Sequence, residues 1–109
     1  MEYGPAPESK EQAENWIKSH GKNFKQYING QWLAPKSGKY FLSKNPCTQK
    51  KLASIPQSGK ADVNLAVKAA KNAFPAWSGL THHGRARYLY AIARQIQKNS
   101  RLFAVLESM

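Results

Sequence analysis

The chain has 109 residues, 41% hydrophobic and 11% aromatic, a composition typical of one small folded domain and not of a disordered tail. Seventeen lysines and arginines face six acids, giving a formal net charge of +11, and the single cysteine, Cys47, excludes an internal disulfide bond. The sequence has no run of about 18 apolar residues and no apolar leader, so we expect a soluble, cytoplasmic chain.

The basic residues are not balanced locally. Four of the six acids lie within the first fourteen residues, and Asp62 is the only acid between Asn15 and Leu106. Every basic residue except Lys10 lies in that same stretch. So one-sided a charge predicts an acidic partner, which is either nucleic acid, an acidic membrane surface, or acidic residues elsewhere in the same polypeptide or on a second subunit.

The first 26 residues read as an extension with one short helix. Prolines at positions 5 and 7 argue against a helix in the lead. Ser9 with Gln12 resembles a capping box, which predicts a helix from Lys10 to Ser19 that is stopped by Gly21. Because no other ligand-type residue has metal-ligand spacing around it, His20 is predicted to be a helix-end residue.

Two β-hairpins are predicted next. Asn29-Gly30 separates Tyr27-Ile28 from Gln31-Trp32-Leu33, and Asn-Gly is typical of a type I′ hairpin turn because both residues tolerate positive φ. A second hairpin is predicted from strands at 39–44 and 51–55, with Asn45-Pro46-Cys47-Thr48 as its turn.

The central predicted helix runs from Asp62 to Trp77, with Ser58 or Asp62 as its cap. Proline at position 75 lacks a backbone N–H, so the regular part should end near Ala73. One face is apolar and the opposite face is polar, the latter carrying Asn64, Lys68, Lys71 and Asn72. The apolar face carries Val63, Ala66, Val67, Ala70, Ala73, Phe74 and Trp77.

Two further helices are predicted, one capped by Thr81 and one by Ser100. The first carries an apolar stripe that includes Leu89, Ile92 and Ile96. We expect Val67, Ala70 and Phe74 of the central helix to be buried against this stripe. The second carries an apolar run, Leu102 to Leu106, that ends without a stop signal, so we expect the helix to continue in a longer polypeptide.

In this order and spacing, the pieces resemble the N-terminal segment of the NAD(P)-dependent aldehyde dehydrogenase superfamily over residues Tyr27 to Met109. The resemblance rests on the Asn-Gly hairpin, the Asn-Pro-Cys-Thr turn, the central helix, Gly84-Arg85-Ala86-Arg87 and Leu106-Glu107-Ser108. The lead Glu2 to Ser9 is similar to the start of the family 16 branch. Gln49 departs from the pattern, because the superfamily often has Gly there, and the second hairpin turn should differ accordingly.

The expected fold is an α+β fragment with two β-hairpins and three or four amphipathic helices, part of the doubly wound α/β aldehyde dehydrogenase fold. We divide the chain into residues 1–26, an N-terminal extension with a short helix, and residues 27–109, an incomplete N-terminal part of the enzyme domain. The partner that this implies is the remainder of the fold or a second subunit.

The resemblance implies that the full-length relative oxidises aldehydes to carboxylic acids with NAD or NADP, through a Cys thiolate, hydride transfer and a Glu-activated water. In the family those groups come after this segment, so we assign no catalytic, cofactor-binding or metal-binding residue here. Cys47 and Asn45 match the turn motif, and the Asn45 side chain is expected to bond its own backbone. His82-His83 is not expected to form a metal site.

Two other functions stay open. The chain could be a stand-alone interaction or regulatory fragment that pairs through its basic and apolar face. Less favoured is a small nucleic-acid-binding module, because the aromatic residues fall on predicted core stripes and no glycine-rich phosphate loop occurs. Steeply salt-dependent binding to DNA or RNA would distinguish the last of these.

Overall fold

The computed structural model describes residues 9–109; residues 1–8, which carry the proline-containing lead and most of the family 16 likeness, lie outside the described part. Two separate two-stranded antiparallel sheets and four helices follow one another along this part of the chain. In order, the elements are α1 (Glu11–Ser19), β1 (Gln26–Ile28), β2 (Gln31–Leu33), β3 (Tyr40–Lys44), β4 (Lys51–Pro56), α2 (Lys60–Ser78), α3 (His82–Lys98) and α4 (Ser100–Ser108).

Helix α1 confirms the predicted first helix, but the capping box is wrong. The cap position is Lys10, which has no capping side-chain bond, and the Ser9 hydroxyl instead accepts from the Glu11 N–H at 3.1 Å. The box fails because the helix starts one residue later than a Ser9 cap requires. Gly21, at a φ of +66°, ends the helix as predicted.

Both hairpins are confirmed. In the first, Tyr27 lies opposite Trp32, and Asn29 and Gly30 adopt φ values of +54° and +73°, as a type I′ turn requires. In the second, β3 pairs with β4 with an irregularity at Ser43 and Lys44.

The loop after α1 is tied to the second hairpin. The Ser54 N–H donates to the Lys22 carbonyl at 2.7 Å, and the Phe24 N–H donates to the Ser54 carbonyl at 3.0 Å. These two bonds form a short parallel bridge between Asn23 and Ser54. Helix α1 and strand β4 are therefore held together by backbone bonds, and α1 also packs against α4.

The start of α2 is built around the carboxylate of Asp62, which is 2% exposed. Its Oδ2 accepts from the Gly59 N–H at 3.0 Å. The predicted cap at Ser58 or Asp62 is wrong in position, because the helix begins at Lys60 with Gly59 as its cap residue, and Asp62 bonds back to that residue from the third helical position. Its Oδ1 accepts from the Gln26 side-chain amide at 3.1 Å and from the Lys36 N–H at 3.0 Å. One carboxylate thus joins β1, the loop after β2 and the first turn of α2.

The prediction that the regular helix ends near Ala73 is wrong, because α2 continues through Pro75 to Ser78. Proline costs the helix one hydrogen bond, but its φ of about −65° is compatible with a helix. The helix continues to its end regularly, because the Pro75 carbonyl accepts from the Gly79 N–H at 3.0 Å and from the Ser78 hydroxyl at 3.3 Å.

The predicted burial of the central apolar stripe against the next helix is also wrong. Val67 is 47% exposed and Phe74 64% exposed, and Ile92 on α3 is 56% exposed. The Asp62 bonds explain the difference, because they turn the Asp62 side of α2 toward the first hairpin. Successive residues lie about 100° apart around a helix, so the apolar stripe that begins at Val63 does not point toward the first hairpin.

The side of α2 that lies along the first hairpin contains two residues, Lys68 and Asn72, that the pattern assigned to the polar face. Together with Leu65 and Ala69 they line the space against the hairpin. Between α2 and α3, the rings of Trp77 and Tyr88 lie 5.7 Å apart at the corner where the helices meet.

As a result, the structure is open. Within residues 9–109 the buried apolar side chains are Ala13, Ile17, Ile28 and Ala53. The molecule exposes 9193 Å², whereas a compact monomer of 12.2 kDa exposes about 6,000 Å². Its radius of gyration is 18.2 Å, against about 13 Å for a compact domain of this length. No helix in the described range is both long and apolar enough to cross a membrane.

We predict that Asp62→Asn lowers the melting temperature and removes part of its pH dependence. Bonds from the Gly59 N–H, the Gln26 amide and the Lys36 N–H hold the pKa of Asp62 below 3.8. The charged form therefore stabilises the fold above about pH 4, and that contribution is lost as pH falls through the lowered pKa.

Thermal unfolding followed by circular dichroism from about pH 6 to about pH 2 tests this prediction. Glu107→Gln, an exposed amide substitution on α4, is the matched control and should leave the melting temperature near that of the parent. Equal melting curves for Asp62→Asn and the parent at every pH would contradict the role of this carboxylate.

A second prediction concerns Gln49, whose φ of +61° is in the left-handed region. A side chain at this φ costs about 1–2 kcal/mol, so Gln49→Gly should stabilise the second hairpin. The gain is reduced because the variant loses the exposed hydrogen bond from the Gln49 side-chain amide to the Pro46 carbonyl. The neighbouring Thr48→Gly should destabilise, because Thr48 lacks a positive φ and its hydroxyl accepts from the Lys50 N–H. Urea unfolding of both variants checks the opposite signs.

Candidate functional site

The turn that contains Cys47 has a structural geometry. The Asn45 Oδ1 accepts from the Cys47 N–H at 2.9 Å and from the Thr48 N–H at 3.3 Å, which confirms that Asn45 bonds its own backbone. Cys47 is an exposed free thiol. The described residues that line the cavity beside it include no His, Asp or Glu side chain that could accept the thiol proton.

The three histidines do not converge. His20 contacts the Trp16 carbonyl through Nδ1 at 2.9 Å and stacks near Phe24 with ring centroids 5.0 Å apart, which confirms it as a helix-end residue. The Nδ1 of His82 lies 2.7 Å from Nη2 of Arg85; a guanidinium only donates, so this ring nitrogen accepts. Across residues 9–109, no three His, Cys, Asp or Glu side chains are close enough to hold a metal ion.

The described residues do not fit a dinucleotide cofactor. Such cofactors bind where a glycine-rich turn joins a parallel strand to a helix whose N-terminus faces the pyrophosphate. Both sheets here are antiparallel hairpins, and the first turn of α2 is already occupied by the Asp62 carboxylate. A phosphate placed there would meet a negative charge.

The prominent surface feature is a set of exposed apolar side chains on α2 and α3, which we call the open face. Two helices supply it, and a groove of about 350 Å³ between α3 and α4, which includes Ile92, Ile96 and Phe103, adjoins it. Exposed apolar surface of this extent marks a site of association with another protein surface. The open face consists of Val63, Val67 and Phe74 of α2 and Leu89, Tyr90, Ile92 and Ile96 of α3.

Within residues 9–109, the prominent feature is therefore the set of exposed apolar side chains on α2 and α3. The sequence profile of the Aldehyde dehydrogenase family matches residues 32–109.

The sequence relatives align with most of this chain, but the aligned part is a small share of each relative's own length. Acetaldehyde dehydrogenase 2 from Cupriavidus necator is 41% identical over 86 residues, which is 79% of this chain and 17% of that protein. Aldehyde dehydrogenase 1A1 from Macaca fascicularis is 40% identical over 88 residues, covering 78% of this chain and 18% of its own length. The chain thus spans less than a fifth of these relatives.

The solved structures that superpose on this chain likewise match most of it and less than a fifth of their own length. HpcC from Thermus thermophilus superposes with a TM-score of 0.79 at 31% identity, over 88% of this chain and 19% of that one. An aldehyde dehydrogenase from Bacillus cereus, solved as an NAD+ complex, superposes with a TM-score of 0.73 at 32% identity, over 84% of this chain and 18% of that one.

The chain belongs to the aldehyde dehydrogenase family. Its hairpins and helices form a segment of the α/β fold of that family, which confirms the fold class expected from the sequence. The assignment to the family 16 branch stays a prediction, as does the boundary at residue 27.

Two features escaped the sequence reasoning. The role of Asp62 as a three-segment junction needed the positions of Gln26 and Lys36, which lie 36 and 26 residues away along the chain. A cavity bordered by lysines from α1 and the second hairpin was also missed. Its only sequence signal was the excess of lysine.

A prediction follows from the difference between buried and exposed isoleucines. Ile17 is 7% exposed and Ile92 is 56% exposed. In dilute solution Ile17→Ala should lower the free energy of unfolding by about 2–5 kcal/mol, whereas Ile92→Ala should change it little. At higher concentration Ile92→Ala should reduce self-association measured by sedimentation. Equal destabilisation by both variants in the monomer would mean that α3 is covered.

Proposed function

We propose that this chain acts as one part of an aldehyde dehydrogenase that oxidises aldehydes to carboxylic acids with NAD or NADP. In this proposal the described residues supply packing surface, and the catalytic cysteine, the base and the cofactor site belong to other residues of the fold. Family membership supports the reaction class, and the lack of a dinucleotide cradle in residues 9–109 supports the division of labour.

The observation that carries the proposal is the open face. A helix derives most of its stability from the surface that its apolar stripe covers, yet Phe74 and Ile92 are more than half exposed. Two small hairpins cannot supply that cover, since each has only two strands. The surface that buries these side chains is, in the proposal, the remainder of the fold.

Charge supports a partner with an acidic surface. Asp62 is hydrogen-bonded inside the structure, so the exposed charged side chains between residues 15 and 106 are all basic. Acidic residues on the remainder of the fold or on a second subunit would compensate for this charge. A cytoplasmic location, where a lone exposed thiol stays reduced, is part of the same proposal.

Complementation tests the proposal. The 109-residue chain alone should give no aldehyde-dependent reduction of NAD or NADP. It should show weak amide-exchange protection in α2 and α3, which carry the open face, and concentration-dependent sedimentation. Co-expression with acetaldehyde dehydrogenase 2 of Cupriavidus necator truncated by its matching segment should restore cofactor reduction that neither part shows alone.

Two variants sharpen the result. Cys47→Ala should leave the restored activity unchanged, whereas Phe74→Lys should abolish it by placing a charge on the open face. Activity of the isolated chain that Cys47→Ala removes would overturn the proposal. A monomeric chain with a cooperative, exchange-protected core would instead favour the stand-alone interaction fragment, and tight, salt-dependent binding to DNA or RNA would favour the nucleic-acid module.

A further inference from the structure

A cavity of about 280 Å³ lies between α1, the turn of the second hairpin and strand β4, on a part of the molecule that the open face does not use. We call it the lysine cavity. Five lysines from separate places in the sequence line it, with Ile17, Leu52 and Met109 as apolar wall and Asn45 and Thr48 at the turn. The five are Lys10, Lys18, Lys22, Lys50 and Lys51.

Backbone hydrogen bonds hold these lysines in place. The Lys22 carbonyl accepts from Ser54, and the Lys22 N–H donates to the Ile17 carbonyl at 3.2 Å. On the other wall, the Asn45 N–H donates to the Lys50 carbonyl at 2.9 Å. Because the backbone is fixed on both sides, the fold places these lysines around one cavity.

The positive charge around the cavity is nearly unopposed. Glu14 is the only acidic side chain among the described lining residues, and it pairs with Lys10 at 3.5 Å. The other four lysines have no acidic side chain beside them in the described lining, so the cavity attracts anions. No aromatic side chain of the described residues lines the cavity, so it offers no ring on which a nucleic-acid base could stack.

We infer that the lysine cavity binds a small polyanion that carries at least two phosphate groups. Lysine ammonium groups bind phosphate as point charges, and one phosphate group carries a charge of only about −1.5 to −2 at neutral pH, so it would not balance four lysines. The inference is independent of the proposed enzymatic function, because it uses none of the residues of the open face and needs no second polypeptide.

Inorganic pyrophosphate is the probe, with inorganic phosphate for comparison, in calorimetric titrations of the 109-residue chain at fixed ionic strength. Pyrophosphate should bind more tightly than phosphate, and its binding should shift the amide NMR signals of Lys18, Lys22 and Lys50. The double variant Lys18→Gln with Lys50→Gln should weaken binding about tenfold, because it removes two of the four charges that face the anion.

The matched control is Lys98→Gln with Lys39→Gln. It removes the same charge, again from the last turn of a helix and from a residue beside a strand, but neither lysine lines the cavity. Its affinity for pyrophosphate should stay within about twofold of the parent. Circular dichroism establishes that both double variants keep the parent's helix content.

Three results would overturn the inference. Equal weakening by both double variants would show general charge attraction without a site. Equal affinity for phosphate and pyrophosphate would remove the requirement for two phosphate groups. Single-stranded nucleic acid that binds more tightly than pyrophosphate and shifts the same lysine signals would make the cavity part of a nucleic-acid surface.

Discussion

The arrangement of this segment depends on one buried carboxylate. Asp62 accepts from Gly59, Gln26 and Lys36, and these three bonds set both the start of α2 and its rotation about its own axis. A carboxylate in such a place is stabilised by donors from three segments of the chain, which also explains the lowered pKa. The surface that α2 presents to the outside follows from that rotation.

The rotation separates two kinds of surface that the sequence pattern treats as one. The side of α2 nearest Asp62 meets the first hairpin, and the Val63 to Trp77 stripe is left for another surface. This division is consistent with a chain that spans under a fifth of its relatives. In the family fold, a helix can contact its local hairpin on one side and distant residues on the other.

Local features were predictable from the sequence because their causes are local. The Asn29-Gly30 turn, the Gly21 helix end and the Asn45 side-chain bonds each depend on a few adjacent residues. The failures at the α2 end, at the first capping box and at the α2–α3 packing have different causes. Periodicity identifies an apolar stripe but not its partner, so Phe74 and Ile92 were paired wrongly.

The lysine cavity was the least predictable part of the structure, because the residues that line it come from distant positions in the sequence. Lys18 and Lys50 are ordinary surface residues in the sequence, and they border one cavity only after the Lys22 loop joins β4. The expectation that the catalytic groups lie outside this segment comes from the resemblance to the family and from no local pattern in the sequence. Composition and spacing alone do not distinguish a segment of an enzyme from an interaction module.

Proline inside α2 has a consequence for whatever covers this helix. Because Pro75 has no N–H, the carbonyl of Lys71 lacks the donor that the fourth following residue supplies elsewhere in a helix. Water can solvate that oxygen while this turn of α2 is exposed. A covering surface that excludes water must bring a hydrogen-bond donor to the same point or leave a channel for water, so it cannot be uniformly apolar there.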